Sequence, residues 1–222
     1  MPIHKKKNED FFKTWSSSMA YVLGFIVADG TLTPTRRGGY YIEITSTDKD
    51  ILYRIRDAFE SDLRIGEYQS KDLRCKRRYR LQIGSKEMFQ DLERLGLTPR
   101  KSLTVRLPPV PSEHFASFLR GYFDGDGCVN VCTYQKQGHK GPSTVISSGF
   151  TSGSEGPLLD IRCFLLKYHI VQGGTFYYNR AYRLWFSIQD SKRLYDYMYQ
   201  DVTNGLFLPR KKTIFEKYFM GS

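Results

Sequence analysis

Two apolar stretches without turn residues, 19–28 and 115–124, stand out in the hydrophobic pattern, and an Asp-Gly pair closely follows each. An apolar run of about ten residues that stops near a glycine predicts a helix. Segments rich in β-branched or aromatic residues predict strands at 40–45, 79–83, 144–151, 174–178 and 183–188. Apolar residues at helical spacing predict further helices at 48–59, 85–95, 158–168 and 191–199. Each half is thus predicted as helix, hairpin, helix, hairpin, helix, an α+β fold.

The order of elements occurs twice because the sequence is duplicated. VLGFIVADG at 22–30 matches LRGYFDGDG at 119–127. Further matches follow in the same order: 45–56 with 151–162, Tyr-Arg-Leu at 79–81 with 182–184, and Pro-Arg-Lys at 99–101 with 209–211. We expect two fused copies and a linker: residues 1–106 with a basic extension at 1–10, a Pro-rich linker at 107–113, and residues 114–222.

The charge balance indicates a polyanionic partner. Thirty-four Lys and Arg against 23 Asp and Glu give a net charge of +11, which favours nucleic acid first and an anionic membrane second. No apolar stretch approaches the roughly 18 residues of a membrane span, and the basic start leads into no signal peptide. We therefore expect an intracellular protein that is not secreted. Its place would be the cytoplasm or nucleoid, or an organelle if an organelle encodes it.

Asp29 and Asp126 stand at equivalent places, directly before Gly30 and Gly127. A carboxylate at a helix C-terminus opposes the macrodipole, whereas a bound cation would favour it and find carbonyl ligands there. We expect glycine to supply a left-handed or otherwise strained turn. Small residues one turn apart let the two helices approach: Gly24 with Ala28, and Gly121 with Gly125. The paired aspartates could then hold two divalent ions. The alternative is that each Asp-Gly pair only caps a core helix.

The two motifs, VLGFIVADG and LRGYFDGDG, resemble those of the monomeric LAGLIDADG homing endonucleases, over nearly the whole chain. The resemblance implies a pseudo-twofold duplicated αββαββα fold. Two saddle-shaped antiparallel sheets would flank the motif helices, which pack at the interface. It also implies that Asp29 and Asp126 bind the metal ions, with the backbone carbonyls of Ala28 and Gly125 as further ligands. Asp124 matches an earlier acidic letter that is Val27 in the first copy, so we do not expect it to be essential.

A basic residue from each half is expected near the active centre. Lys101 matches the family position before the second motif, and Lys211 is its repeat equivalent, although Lys212 is one register away. Such a lysine would assist the water nucleophile or stabilise phosphate charge. The alternative is a surface lysine that neutralises a DNA phosphate.

The resemblance implies that alternate residues of each sheet face the DNA major groove. In the first copy these are Thr31, Thr33, Thr35, Arg37, Tyr41, Glu43, Thr45, Gln69, Lys71, Arg74, Arg78, Arg80 and Gln82. In the second copy they are Asn130, Cys132, Tyr134, Lys136, Ser147, Gly149, Thr175, Tyr177, Asn179, Arg183 and Trp185. Because the two sets differ, we expect an asymmetric DNA site.

The function that the resemblance implies is hydrolysis of both strands of a long double-stranded DNA site, leaving short 3′ overhangs. Mg²⁺ is the expected cofactor, with Mn²⁺ as a substitute and Ca²⁺ binding without efficient cleavage. The chain is expected to act as a monomer, and its own intron RNA is a second partner that the resemblance leaves open. Two alternatives remain: a non-cleaving binder on the same scaffold, such as a splicing maturase or a DNA-binding regulator, and an unrelated basic binding module.

Overall fold

The computed structural model describes residues 6–70, 72, 76–99, 106–135 and 141–221. The first half opens with helix α1, whose first turn is capped by the hydroxyl of Ser16, 3.1 Å from the backbone nitrogen of Met19. Its elements are α1 Ser17–Asp29, β1 Gly30–Pro34, β2 Tyr40–Ser46, α2 Lys49–Ala58, β3 Ile65–Tyr68, β4 Arg78–Gly84 and α3 Lys86–Arg94. This is the predicted order of two hairpins and three helices.

The second half repeats that order and adds a helix. Its elements are α4 Ser112–Asp126, β5 Gly127–Gln135, β6 Pro142–Ser152, α5 Glu155–Lys167, β7 Thr175–Tyr178, β8 Tyr182–Phe186, α6 Ile188–Tyr199 and α7 Pro209–Met220. The predicted strand at 183–188 was two residues too long, because Ser187 is the cap of α6 and Ile188 is its first residue. The predicted strand start at Gly174 was also wrong, since its φ of 138° lies outside the strand region.

Each half contains one antiparallel sheet of four strands, in the order β1-β2-β4-β3 and β5-β6-β8-β7. One face of each sheet is apolar and covered by helices. In the first sheet Ile42, Ile44, Leu81 and Ile83 are fully buried, and α2 and α3 pack against them. The opposite face carries the alternate residues, which are polar and more exposed. This is the alternation expected of a sheet with one solvent face.

The motif helices α1 and α4, one from each half, pack against each other. An ideal Cβ on Gly24 would lie 2.0 Å from the carbonyl oxygen of Phe118, and one on Gly121 would lie 1.9 Å from that of Tyr21. No side chain fits between backbones at that separation, which is why glycine is required at both positions. The α+β fold with packed motif helices is therefore confirmed.

Candidate active site

The two motif helices end in the same geometry. Gly30 follows α1 with φ −85° and ψ 160°, and Gly127 follows α4 with φ −82° and ψ 158°. Both glycines are extended, so the left-handed turn expected from the sequence is wrong. Glycine is needed here for space: a Cβ on Gly30 would lie 2.8 Å from the Ile26 carbonyl oxygen, and one on Gly127 would lie 2.4 Å from that of Phe123. The strand can therefore start directly after each aspartate.

The two helix ends touch through the residue that precedes each aspartate. An ideal Cβ on Gly125 would lie 2.4 Å from the Cβ of Ala28 and 3.6 Å from the backbone nitrogen of Asp29. Asp29 is exposed and Asp126 is half-buried. Asp29 and Gly125 line one pocket of about 340 Å³, and its other walls are Thr45, Ser46, Thr47, Arg78 and Arg210. The pocket thus joins residues of both halves at the ends of the motif helices.

Lys211, in the first turn of α7, reaches the end of α4. Its ammonium nitrogen lies 2.5 Å from the carbonyl oxygen of Phe123, 2.9 Å from that of Asp124 and 2.7 Å from that of Gly127. These three acceptors match the three donors of an ammonium group. Burial lowers the pKa of Lys211 to about 8, while Asp124 acts in the opposite direction. Lys211 therefore places positive charge where the helix dipole is negative.

The alternative reading of Lys211 as a surface lysine is wrong, because only 5% of the residue is exposed. Lys212 points elsewhere: it pairs with Glu216 at 3.3 Å and lies over the ring of Phe207. Of the two neighbouring registers, Lys211 is thus the one that meets the motif helix. Lys101 lies outside the described residues.

Asp124 faces the interior instead of the pocket. Only 2% of it is exposed, and its Oδ2 accepts hydrogen bonds from the Tyr21 hydroxyl and the Leu208 backbone nitrogen, both at 2.8 Å. Burial raises the pKa of Asp124 to about 6, with Lys211 as the main opposing influence. Its oxygen thus tethers backbone and a neighbouring helix, in keeping with its expected absence from the chemistry.

Residues 16–96 match the family model of the LAGLIDADG-like domain. The fold agrees with that match, since 91% of the chain superimposes on 89% of LAGLIDADG meganuclease I-AabMI, described as bound to uncleaved DNA, with 13% identity and a TM-score of 0.61. Residues 16–96 therefore contain a LAGLIDADG-like domain. Homing endonuclease I-LtrWI, described as bound to target DNA, gives 14% identity, 96% and 90% coverage and a TM-score of 0.57.

Two curated proteins of Methanocaldococcus jannaschii also share sequence with this chain. The replication factor C small subunit is 30% identical over 120 residues, and the RNA polymerase subunit Rpo1C is 30% identical over 113 residues. The matched parts are 52% and 50% of this chain but only 6% and 12% of those proteins. This chain thus corresponds to a small part of each. Within its described residues, every helix is too short or too polar to span a bilayer.

Arg210 is a pocket residue to which the sequence assigned no role. Its guanidinium crosses between the halves to the carboxylate of Asp48, with Nε 3.0 Å and Nη2 3.0 Å from Oδ2. The sequence contains a feature that could have identified Arg210, because this residue belongs to the repeated Pro-Arg-Lys. Two other pocket residues were also missed: Ser46, the last residue of β2, and Thr47, which follows it. Both belong to the repeated segment 45–56.

The sheet face expected to meet DNA is the face that the core leaves uncovered. Strand pairing aligns Thr31, Glu43 and Gln82 in one row of the first sheet, and Gly149, Trp185 and Thr175 in one row of the second. The other predicted residues that lie in the strands of this face are Thr33, Tyr41, Thr45, Arg78, Arg80, Asn130, Cys132, Tyr134, Ser147, Tyr177 and Arg183. The predicted strand register is therefore confirmed for these positions.

Other residues of the expected DNA face lie elsewhere. Strand β1 ends at Pro34, so Thr35 and Arg37 belong to the following turn, where the Thr35 hydroxyl accepts from the Gly39 backbone nitrogen at 2.8 Å. Gln69 follows the end of β3, and Asn179 lies in the turn between β7 and β8. The positions outside the described residues are Lys71, Arg74 and Lys136.

The residues at the two helix ends fit a hard divalent cation. Carboxylates and backbone carbonyls are oxygen donors of the kind that Mg²⁺ and Ca²⁺ take. Among the described residues, no three or more His, Cys, Asp or Glu side chains form a group that could hold a metal ion by themselves.

Proposed function

We propose that this chain is a site-specific endonuclease that hydrolyses both strands of double-stranded DNA with divalent metal ions. The observation that carries the proposal is the contact between the two motif helix ends, each of which bears an aspartate. Asp29 lines one pocket together with Gly125, the residue directly before Asp126, on a protein with a net charge of +11. A cap for a core helix would need neither the equivalence nor the pocket.

In this proposal Asp29 and Asp126, with the carbonyls of Ala28 and Gly125, hold the ions. When bound, such ions stabilise the attacking and leaving oxygens of a phosphodiester displacement. The three ammonium protons of Lys211 are taken by carbonyls, so Lys211 serves by its charge beside Asp126 and not as a proton acceptor. Arg210 and Arg78 line the pocket and would bind the phosphate that carries the reacting bond.

The uncovered sheet faces would read the DNA sequence, one half on each side of the cut. Bidentate contacts from Arg, Asn and Gln side chains distinguish bases in the major groove. The two faces carry different residues, which favours an asymmetric site for a single chain acting as a monomer. We also propose the division into halves 1–106 and 114–222, Mg²⁺ as the natural cofactor and short 3′ overhangs as the product. A parallel from the family is I-SmaMI, described as bound to an uncleaved DNA target in the presence of calcium ions.

The test is cleavage of a randomised double-stranded DNA library with Mg²⁺, Mn²⁺ or Ca²⁺, followed by sequencing of the cut ends. We expect one asymmetric site, staggered cuts with Mg²⁺ or Mn²⁺, and binding without efficient cleavage with Ca²⁺. Tight binding of one sequence without cutting under any metal would contradict the nuclease proposal and favour a non-cleaving binder.

DNA affinity is expected to fall steeply with salt, because each Lys or Arg contact to a phosphate releases counterions. Six or more such contacts predict a loss of at least about 1,000-fold in affinity between 50 and 200 mM salt. Fluorescence anisotropy with labelled DNA in Ca²⁺ measures it. A loss of less than about threefold would contradict binding through the basic sheet faces.

Replacing Arg210 by Gln is expected to lower the rate of cleavage about tenfold, because a charge-assisted contact to phosphate contributes about 1.5–3 kcal/mol. Single-turnover cleavage of the selected site measures it. The matched control is Arg56→Gln, since Arg56 also pairs with an aspartate, Asp57, at 2.6 Å but lies on α2 and does not line the pocket. Equal effects of the two substitutions would remove Arg210 from the proposed site.

A further inference from the structure

Arg120 and Asp124 are a buried polar pair that only the second motif helix carries. The repeat places Leu23 and Val27 at the equivalent positions of the first motif. Each member of the pair is 2% exposed. Burying a guanidinium and a carboxylate costs desolvation free energy that apolar residues would not cost. The first copy shows that this fold accommodates apolar residues at these positions, so the pair invites a specific explanation.

The pair binds the backbone of one connecting segment. Arg120 donates from Nη1 to the carbonyl oxygen of Met198 at 2.7 Å and from Nε to that of Leu206 at 2.9 Å. Asp124 accepts from the backbone nitrogen of Leu208 at 2.8 Å. All three partners lie between the last turn of α6 and the residue that precedes α7. Arg120 and Asp124 are four residues apart and therefore share one face of α4.

The connecting segment, residues 200–208, has no regular structure of its own. Gly205 has a φ of 66°, and Arg54 of the first half donates to its carbonyl oxygen at 2.7 Å. Side chains of both halves thus hold this stretch by its backbone. Without such contacts a segment of this kind would sample many conformations.

The tether on Leu208 is close to Lys211 in the chain. Leu208 is the cap residue of α7, and its carbonyl oxygen accepts from the backbone nitrogen of Lys211 at 3.1 Å. The Lys211 side chain then returns to α4 at the carbonyls of Phe123, Asp124 and Gly127. Two contacts thus join α4 to the start of α7: Asp124 binds the Leu208 backbone, and the Lys211 side chain binds the backbone at the end of α4.

We propose that Arg120 and Asp124 are positioning residues, which hold the connection between α6 and α7 so that the Lys211 ammonium stays at the end of the second motif helix. The pair acts through Lys211 and does not touch DNA. The part that concerns catalysis rests on the proposed function, whereas the position of Lys211 can be measured without any activity.

The first test observes the Lys211 ammonium by NMR in protein labelled with ¹⁵N-lysine. Protons of a buried, triply hydrogen-bonded ammonium exchange slowly with water and give a resolved signal, which Lys211→Met assigns by removing it. We expect the signal in the wild type and its loss in Arg120→Leu/Asp124→Val, which copies the first motif. Persistence of the signal in that folded variant would overturn the proposal.

Three milder variants keep the test decisive if the double variant does not fold. In Asp124→Asn the amide oxygen can take the place of Oδ2 and accept both hydrogen bonds, but the charge that raises the pKa of Lys211 is lost. The Lys211 signal should therefore remain in spectra recorded well below the wild-type pKa of about 8. Tyr21→Phe removes the other partner of Oδ2 and leaves the tether on Leu208, so the signal should also remain. Arg120→Met keeps the aliphatic stem but removes the hydrogen bonds to the carbonyl oxygens of Met198 and Leu206, so the Lys211 signal should weaken. An unchanged signal in Arg120→Met would contradict the proposal.

The second test separates positioning from general loosening by single-turnover cleavage. Arg120→Leu/Asp124→Val should lower the cleavage rate about 100-fold, as expected when a charged group is misplaced by about 1 Å, with DNA affinity unchanged. In a Lys211→Met background the same double substitution should lower the cleavage rate no further. Asp124→Asn alone, in the wild-type background, should keep most of the wild-type rate. Additive losses would overturn the proposal. If the wild type cuts no DNA while the NMR results hold, the proposed function fails and the positioning role stands.

Discussion

Asp29→Asn and Asp126→Asn are each expected to lower the rate of double-strand cleavage by about 1,000-fold or more, which corresponds to about 4 kcal/mol of transition-state stabilisation. The amide keeps the size of the carboxylate but loses the charge that binds a divalent ion. Both aspartates stand at helix ends in the same geometry, so the two effects should be similar. Single-turnover cleavage of the selected site, with a supercoiled substrate to reveal nicks, is the measurement.

The control is Asp62→Asn, an exposed aspartate outside the pocket, which should cut as the wild type does. DNA affinity in Ca²⁺ should stay within about threefold for all three variants, because the main attraction comes from Lys and Arg contacts to phosphate. If both site variants cut at the wild-type rate, the helix ends are not the catalytic centre. If they lose binding and cleavage together, the loss reflects binding or folding and not catalysis.

Gly121→Ala is expected to lower the free energy of unfolding by about 3 kcal/mol or more, at the upper end of overpacking effects. The added Cβ would lie 1.9 Å from the Tyr21 carbonyl oxygen and 3.0 Å from the Phe25 backbone nitrogen. Backbone atoms cannot swing aside as the end of a side chain can, so α1 and α4 must separate. Urea unfolding followed by circular dichroism measures the change.

Gly66→Ala is the matched control, because a Cβ there meets only the Arg80 carbonyl oxygen at an ordinary 3.7 Å. Its stability should lie within about 1 kcal/mol of the wild type, and restriction of the unfolded chain could make it slightly more stable. A loss at Gly121 no larger than that at Gly66 would mean that the helices do not pack as closely as described. Separation of α1 and α4 should also lower cleavage, since Asp29 and Gly125 line the same pocket.

The repeat allowed most of the fold to be predicted from sequence, because it supplied two independent copies of each pattern. Apolar residues at every second position set the sheet register, and Ile42 and Ile44 are buried as that pattern requires. The end of β1 was not predictable in this way, because Thr35 and Arg37 continue the alternation although Pro34 already ends the strand. Alternation alone does not show where a hairpin turns.

Helix α7 and the buried pair on α4 were beyond the sequence pattern for a different reason. Their meaning depends on contacts between residues far apart in the chain, such as Leu208 with Asp124. Lys211 appears in the sequence as part of a basic run, and basic runs are usually solvated. Its burial follows only from the way α7 returns to the end of α4.

Under the proposed function, the close approach of α1 and α4 would separate DNA recognition from the cleavage chemistry. The offset between the two helix ends is set by backbone meeting backbone at Gly24 and Gly121, with no long side chain in between that could repack. If the proposed function holds, substitutions on the uncovered sheet faces, such as Glu43, Gln82 or Trp185, are expected to change the preferred base sequence while the stagger between the two cuts stays constant. For protein engineering, we expect the sheet faces to tolerate substitution, whereas the packing of α1 against α4 should be kept unchanged.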